Sequence, residues 1–226
     1  MEYQIYGTTM QTLDVKLGRG EAIYTESGGM AWMSGDIEMK TDTKGGLLKG
    51  LGRKLAGESL FMTTYTCQGE TGLVTFTPEA PGKVLAFKLE AGQSLICQKD
   101  AFMCAEDSVN LEMHFRKQLG AGLFGGTGFI LEKVTGPGMV FLEIAGEVRE
   151  YTLQPRQVIK VDPGHIALYE PSVGYDITTV RGVANIFFSG EGLFLATLTG
   201  PGKVWLQSLP LSNLASKLAR YMPSKG

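Results

Sequence analysis

The chain has 226 residues, 43% of them hydrophobic and 19% charged, enough apolar material for a real core and too much for a disordered chain. Its net charge of -2 argues against a dedicated nucleic-acid binder, whose face would be strongly basic. The 31 glycines, well above the ~7% average of ordinary proteins, separate short apolar runs, the pattern of many tight turns joining many strands.

The first stretch, MEYQIYGTTMQTLDVKLG, has no basic start followed by an apolar run, so no signal peptide is expected. No run approaches the ~18 apolar residues of a membrane span. From Val15 the apolar residues alternate, as Val15 and Leu17, Met30 and Trp32, Ile37 and Met39. A period of two predicts strands with one buried face. The connector TKGGLLKGLGRKLAGES follows, with leucines at roughly helical spacing and basic residues between them. Lys44, Leu47, Lys49, Leu51, Arg53 and Lys54 form the candidate interaction surface of the sequence. A basic amphipathic stretch can lie on an anionic membrane. The favoured alternative is a capping segment with its leucines inward and its lysines in water. Gly45, Gly46, Gly50 and Gly52 each weaken an isolated helix by up to ~1 kcal/mol relative to alanine.

Further along, VTGPGMVFLEI (Val134–Ile144) and LTGPGKVWLQS (Leu198–Ser208) are nearly the same phrase, each a strand, a Pro-Gly turn and a strand. A third relative, GESLFMTTYT from Gly57, reaches Pro81-Gly82 after an inserted CQGETGLVTFTPEA, which places the turns at Pro81, Pro137 and Pro201. A second pattern runs forward without gaps from Leu17, Leu89 and Leu153. Apolar residues then coincide at Ile23/Leu95/Ile159, Met30/Phe102/Ile166, Trp32/Cys104/Leu168, Ile37/Val109/Val173 and Met39/Leu111/Tyr175. Gly28, Asp100 and Gly164 fall at one shared turn, where at least two are expected to take positive φ.

These matches predict one all-β domain over 1–226, with three repeats at about 58–113, 126–179 and 190–209. The third is completed by the N-terminal stretch 15–40. Closure then requires Val204–Leu209 to pair with Thr12–Leu17, and MVFLEIAGEVREYTL to form a hairpin around Ala145-Gly146. A helix is expected over 211–222, with Leu211, Leu214, Ala215, Leu218 and Met222 on one face, Ser212 as cap and Pro223 as stop. It is expected to dock on its own domain rather than in a partner's groove.

The triple GE-x-L-F … T-x-PG-x-V pattern, the ending TGPGKVWLQSLPLSNLA and the connector FGGTGF resemble the Aim-type mitochondrial-biogenesis family over nearly the whole chain. The resemblance implies an all-β fold similar to the strands of the tryptophan RNA-binding attenuation protein (TRAP-like), with three internal repeats around a pseudo-threefold axis. It also implies no established enzymatic activity or catalytic residue. The attenuation protein's RNA function does not follow, because a shared fold does not carry a site.

Candidate chemistry is sparse. Neither His114 nor His165 has a ligand set at zinc spacing, so no metal is expected. His165 reads as a surface residue and His114 as a strand residue. Cys67, Cys97 and Cys104 lack CxxC spacing and read as reduced core thiols of a cytoplasmic protein. No G-x-S-x-G elbow occurs, and the glycines of Gly120–Gly128 lack the lysine of a phosphate loop, so no nucleotide or other cofactor is expected there. The sequence therefore points to a non-enzymatic scaffold with an unknown protein partner. Its alternatives are a small-ligand binder or enzyme with a pocket near the pseudo-threefold axis, and a peripheral membrane adaptor acting through the basic connector.

Overall fold

The structure, a computed structural model, describes residues 1–26, 29–42, 62–117, 129–180, 193–219 and 221. The first strands are β1 (Glu2–Tyr6), β2 (Thr12–Gly18), β3 (Ala22–Glu26), β4 (Met30–Met33), β5 (Ile37–Asp42), β6 (Met62–Cys67) and β7 (Thr71–Phe76). Next come β8 (Gly82–Leu89), β9 (Ser94–Gln98), β10 (Phe102–Glu106), β11 (Asn110–Lys117), β12 (Phe129–Thr135) and β13 (Gly138–Ala145). The last are β14 (Val148–Leu153), β15 (Val158–Val161), β16 (Ile166–Tyr169), β17 (Gly174–Val180), β18 (Leu193–Thr199) and β19 (Gly202–Gln207), before the helix α1 (Leu211–Ala219). The protein is mostly β, as its composition and alternation predict.

The described residues form two compact units. The first unit takes residues 1–93, 102–110 and 135–143 and holds two sheets, β1-β2-β7-β4 and β5-β6-β3-β10-β13-β8. Strict alternation in β2 buries Leu13, Val15 and Leu17 completely and leaves Asp14 and Lys16 outside the core. They pack with Val74 and Phe76 of β7 and with Ile23, Tyr65, Cys67, Met103 and Phe141 of the second sheet. Each such side chain contributes about 1.5–3 kcal/mol by leaving water. The second unit holds β15-β18-β17 and β11-β12-β9-β16-β19-β14. Its core joins Ile96, Phe129, Leu131, Leu153, Val161, Ile166, Tyr169, Ile177, Leu198 and Val204.

Local bonding recurs at the positions aligned on Leu17, Leu89 and Leu153. Leu17 lies opposite Gly72 across β2 and β7, and Leu153 opposite Gly202 across β14 and β19. The turn after each leucine is held by one side chain. The Gly18 N–H donates to Glu21 Oε2 at 2.7 Å, the Glu90 N–H to Gln93 Oε1 at 3.0 Å and the Gln154 N–H to Gln157 Oε1 at 2.9 Å. Positive φ falls on the third residue past each leucine, at Gly20 (79°), Gly92 (81°) and Arg156 (66°). An extra residue shifts the register at Met30/Trp32, Phe102/Cys104 and Ile166/Leu168.

Glu21 departs from the two glutamines in carrying a charge. Its carboxylate also accepts from the Met1 ammonium at 2.6 Å, and that bond, then the Gly18 N–H, holds its pKa below the ordinary 4.5. Its stabilisation is complete above that ordinary value and is lost as pH falls through the lowered folded value. The side chain is 43% exposed, so the pair is worth less than about 1 kcal/mol. Glu21→Gln, which copies Gln93 and Gln157, is expected to leave stability at neutral pH within that margin and to flatten the loss below pH 4.5, as read by melting across a pH series.

The structure corrects several details. Positive φ does not occur at Asp100 or Gly164, which sit in the 3-10 turns Lys99–Ala101 and Pro163–His165, while Gly28 lies outside the described residues. Pro163 starts its turn with a preset φ, and the Asp162 side chain accepts from the Gly164 N–H at 3.1 Å, which keeps the turn right-handed. Pro81 precedes β8 and is not the counterpart of Pro137 and Pro201, since the register that sets Gly202 opposite Leu153 sets Gly72 opposite Leu17.

The expected closure is also replaced. β19 lies between β14 and β16, with Val204 opposite Tyr151 and Tyr169, while β2 lies between β1 and β7. The third set of strands is therefore not completed by Thr12–Leu17. β1 precedes β2 across a short link in which Gly7 has φ 85°, and this local partner takes the edge the closure needed. Nor do β13 and β14 form a hairpin, since they stand in different sheets. The backbone around Gly146 bonds instead to the end of β19, with the Leu209 N–H donating to the Ala145 carbonyl at 3.1 Å and the Glu147 N–H to Ser208 Oγ at 2.8 Å. Helix α1 starts after Pro210, whose carbonyl accepts from the Asn213 and Leu214 N–H groups at 3.0 and 3.1 Å, so Ser212 is inside the helix rather than its cap. The helix start rests on the 163–165 turn, where a Cβ on Gly164 would lie 3.1 Å from Pro210 Cβ.

Candidate interaction surface

β4 is the edge of its sheet, with β7 as its neighbour. The extra residue puts Met30 opposite Phe76 and Trp32 opposite Thr75, so the end of the strand turns its bulk outward. Trp32 is 53% exposed and Met33 36%. At the aligned positions Cys104, Ala105, Leu168 and Tyr169 are fully or almost fully buried. The difference is a strand. β10 has β3 on its other side and β16 has β9, with Ala105 opposite Tyr24 and Tyr169 opposite Ile96. β15 is likewise an edge, paired with β18. Its Val158 is exposed and its Ile159 half-buried, while the aligned Ile23 and Leu95 are buried. The sequence alone reads Trp32 as a core position because its aligned residues are apolar, and only the sheet order exposes it.

The groups that could do chemistry are dispersed. His114 is exposed on β11. His165 is half-buried rather than fully on the surface, and its Nδ1–H donates to the Gln207 carbonyl at 2.7 Å. All three cysteines are free and buried, and burial, then the Glu143 charge, pushes the Cys104 thiol well up, away from nucleophilic use. Among the described residues no three His, Cys, Asp or Glu side chains gather to hold a metal, and no helix is long and apolar enough to cross a membrane. The connector residues Lys44, Leu47, Lys49, Leu51, Arg53 and Lys54 and the stretch Gly120–Gly128 lie outside the described residues. Pro137 and Pro201 follow Gly136 and Gly200 ahead of β13 and β19.

A second feature was hidden in the sequence. Tyr169 and Tyr175 stack with centroids 5.9 Å apart, Phe129 stacks on Tyr175 at 6.2 Å, and Phe115 meets Tyr175 edge-on at 5.3 Å. Both phenol oxygens are buried without a hydrogen-bond partner, and burial drives both hydroxyls far above the ordinary tyrosine range. A buried hydroxyl without a partner costs about 1–3 kcal/mol. Tyr169→Phe is therefore expected to raise the melting temperature, and a lowered one would show that the hydroxyl is satisfied in solution.

These features define an all-β protein with exposed sheet edges and, among the described residues, no gathered metal ligands. The chain belongs to the mitochondrial biogenesis AIM24 family, whose sequence model matches residues 3–209. An uncharacterised protein of Streptococcus pyogenes serotype M6 is 29% identical over 221 residues, covering 94% of this chain and 87% of that one. A crystal structure of a protein from Streptococcus pyogenes matches with a TM-score of 0.79 at 25% identity, covering 98% of this chain and 99% of that one.

Proposed function

We propose that this protein is a non-enzymatic scaffold whose working surface is the β4 edge. The observation that carries the reading is Trp32 and Met33 in solvent at strand positions whose aligned counterparts are buried. The finer fold belongs to the same proposal. It is three internal repeats, TRAP-like, phased as β2–β7, β8–β13 and β14–β19. The recurring turns at Glu21, Gln93 and Gln157 and the three register shifts support it. Buried free thiols agree with a reducing, cytoplasmic setting.

The test is a photoreactive phenylalanine analogue placed at Trp32 in cells. A covalent adduct to a protein is expected there and not from the same probe at Tyr151, which is exposed on β14. Absence of an adduct at Trp32 contradicts the reading. A second reading, small-ligand binding, is favoured by the unpartnered Tyr169 and Tyr175 hydroxyls, which would donate to an acceptor atom of a ligand. A ligand whose stabilisation is lost in Tyr169→Phe would support it.

A further inference from the structure

We infer that the β4 edge of one copy of this chain takes the β15 edge of a second copy, an inference that rests on the scaffold reading and names its partner. Three strands occupy one aligned place, β4, β10 and β16, and three another, β3, β9 and β15. In two cases a strand of the first kind pairs antiparallel with one of the second. Ala105 and Glu106 of β10 lie opposite Tyr24 and Ile23 of β3, and Leu168 and Tyr169 of β16 lie opposite Cys97 and Ile96 of β9. Among the described residues β4 and β15 are the members left without this pairing.

Carrying the two observed registers over sets Trp32 opposite Val161, Met33 opposite Lys160 and Ser34 opposite Ile159. The joint of β3 and β10 is extended by the Asp107 N–H donating to the Ala22 carbonyl at 3.3 Å, and the same step brings the Gly35 N–H to the Val158 carbonyl. The exposed apolar side chains Met33 and Val158 therefore meet along one short ladder. In the joints already made, Ala105 and Tyr169 at the place of Met33 are buried, and Ala22 and Ser94 at the place of Val158 are half-buried.

The polar residue at this place has a partner too. In the made joint Tyr24 reaches across and donates from its hydroxyl to the Val109 carbonyl at 3.0 Å. Val109 aligns with Ile37, and Lys160 takes the place of Tyr24. The lysine stem lies along Met33 while its ammonium reaches the turn that carries Asp36, which is exposed. An edge lysine ordinarily discourages strand addition, and here the opposite charge makes the addition selective for one register. Each copy offers one β4 edge and one β15 edge, so the contact is head-to-tail and joins copies into a ring or an open chain.

The experiment mixes two full-length variants, Met33→Cys and Lys160→Cys, with a short bismaleimide; the native cysteines are buried. A covalent dimer containing one chain of each kind is expected, at least tenfold above that from either variant alone. In parallel, Trp32→Glu is expected to reduce the light-scattering mass of the native protein to that of one chain. If Trp32→Glu does not fold, the cysteine pair still decides. No mixed dimer, or a bridge that forms only within one chain carrying both substitutions, overturns the inference. An adduct of the Trp32 probe with a different protein and no mixed dimer sinks the inference and leaves the scaffold reading standing. Neither product sinks both.

Discussion

Replacing Gly136 or Gly200 with alanine is expected to lower the melting temperature by roughly 6–12 °C, the shift for about 3 kcal/mol in a chain of this size. A Cβ at Gly136 would lie 2.5 Å from the Glu90 carbonyl oxygen and 2.6 Å from that of Leu89. At Gly200 it would meet the Gln154 carbonyl oxygen and lie 2.8 Å from that of Leu153. These are backbone atoms next to buried leucines, so no flexible side chain can yield. The Gly136 and Gly200 N–H groups also donate to the Gln93 and Gln157 carbonyls, each at 2.9 Å, which fixes the approach. Gly92 is the control, with φ 81° and open space around its Cβ position. Gly92→Ala is expected to cost about 1–2 kcal/mol from the dihedral alone. Equal effects at Gly92 and Gly136 in calorimetry would show that the close approach is not the constraint.

Gln207→Leu is expected to destabilise the second unit by about 3–5 kcal/mol, because it strands three buried polar groups at once. Gln207 Nε2 donates to Gln98 Oε1 at 3.1 Å and to the Gly164 carbonyl at 2.9 Å, and Gln207 Oε1 accepts from the Ala145 N–H at 3.1 Å. Gln98 is 6% exposed and Gln207 8%, so water does not replace the lost bonds. This knot fastens β19, β9, the 163–165 turn and Ala145 to one another. Trp205 fluorescence in urea, read in a Trp32→Phe background, follows that unit directly. A loss below about 1 kcal/mol would mean that the three groups find other partners.

The sequence reveals positions better than partners. Leu17, Leu89 and Leu153, and the matches that follow them, are legible because a buried strand face writes its alternation locally. Gly28, Asp100 and Gly164 draw attention as turn formers. Turns do lie at Asp100 and Gly164, but the positive φ expected there falls eight residues earlier, at Gly20, Gly92 and Arg156. Pro81 misled for a related reason. The segment from Gly69 to Gly72 does the work of the two Pro-Gly turns without a proline, so its likeness lies in register alone. Strand partners are not written locally at all. Nothing in Val204–Leu209 distinguishes Tyr151 from Val15 as a neighbour, so the repeats assign Thr12–Leu17 to the place that β14 and β16 take beside β19. The same blindness hides the candidate surface, since Trp32, Cys104 and Leu168 share one apolar pattern although one of them faces water.

The most direct test of the β4 edge as the working surface is amide hydrogen exchange at Met33, Gly35 and Lys160, measured on the native chain over a hundredfold range of concentration, since the Ser34 N–H already donates to the Leu73 carbonyl at 2.9 Å. Pairing of β4 with a second copy's β15 predicts slow exchange at these amides in concentrated protein and fast exchange on dilution, with Ala105 and Tyr169 unchanged throughout. Exchange at Met33 and Gly35 that is fast at every concentration would contradict it.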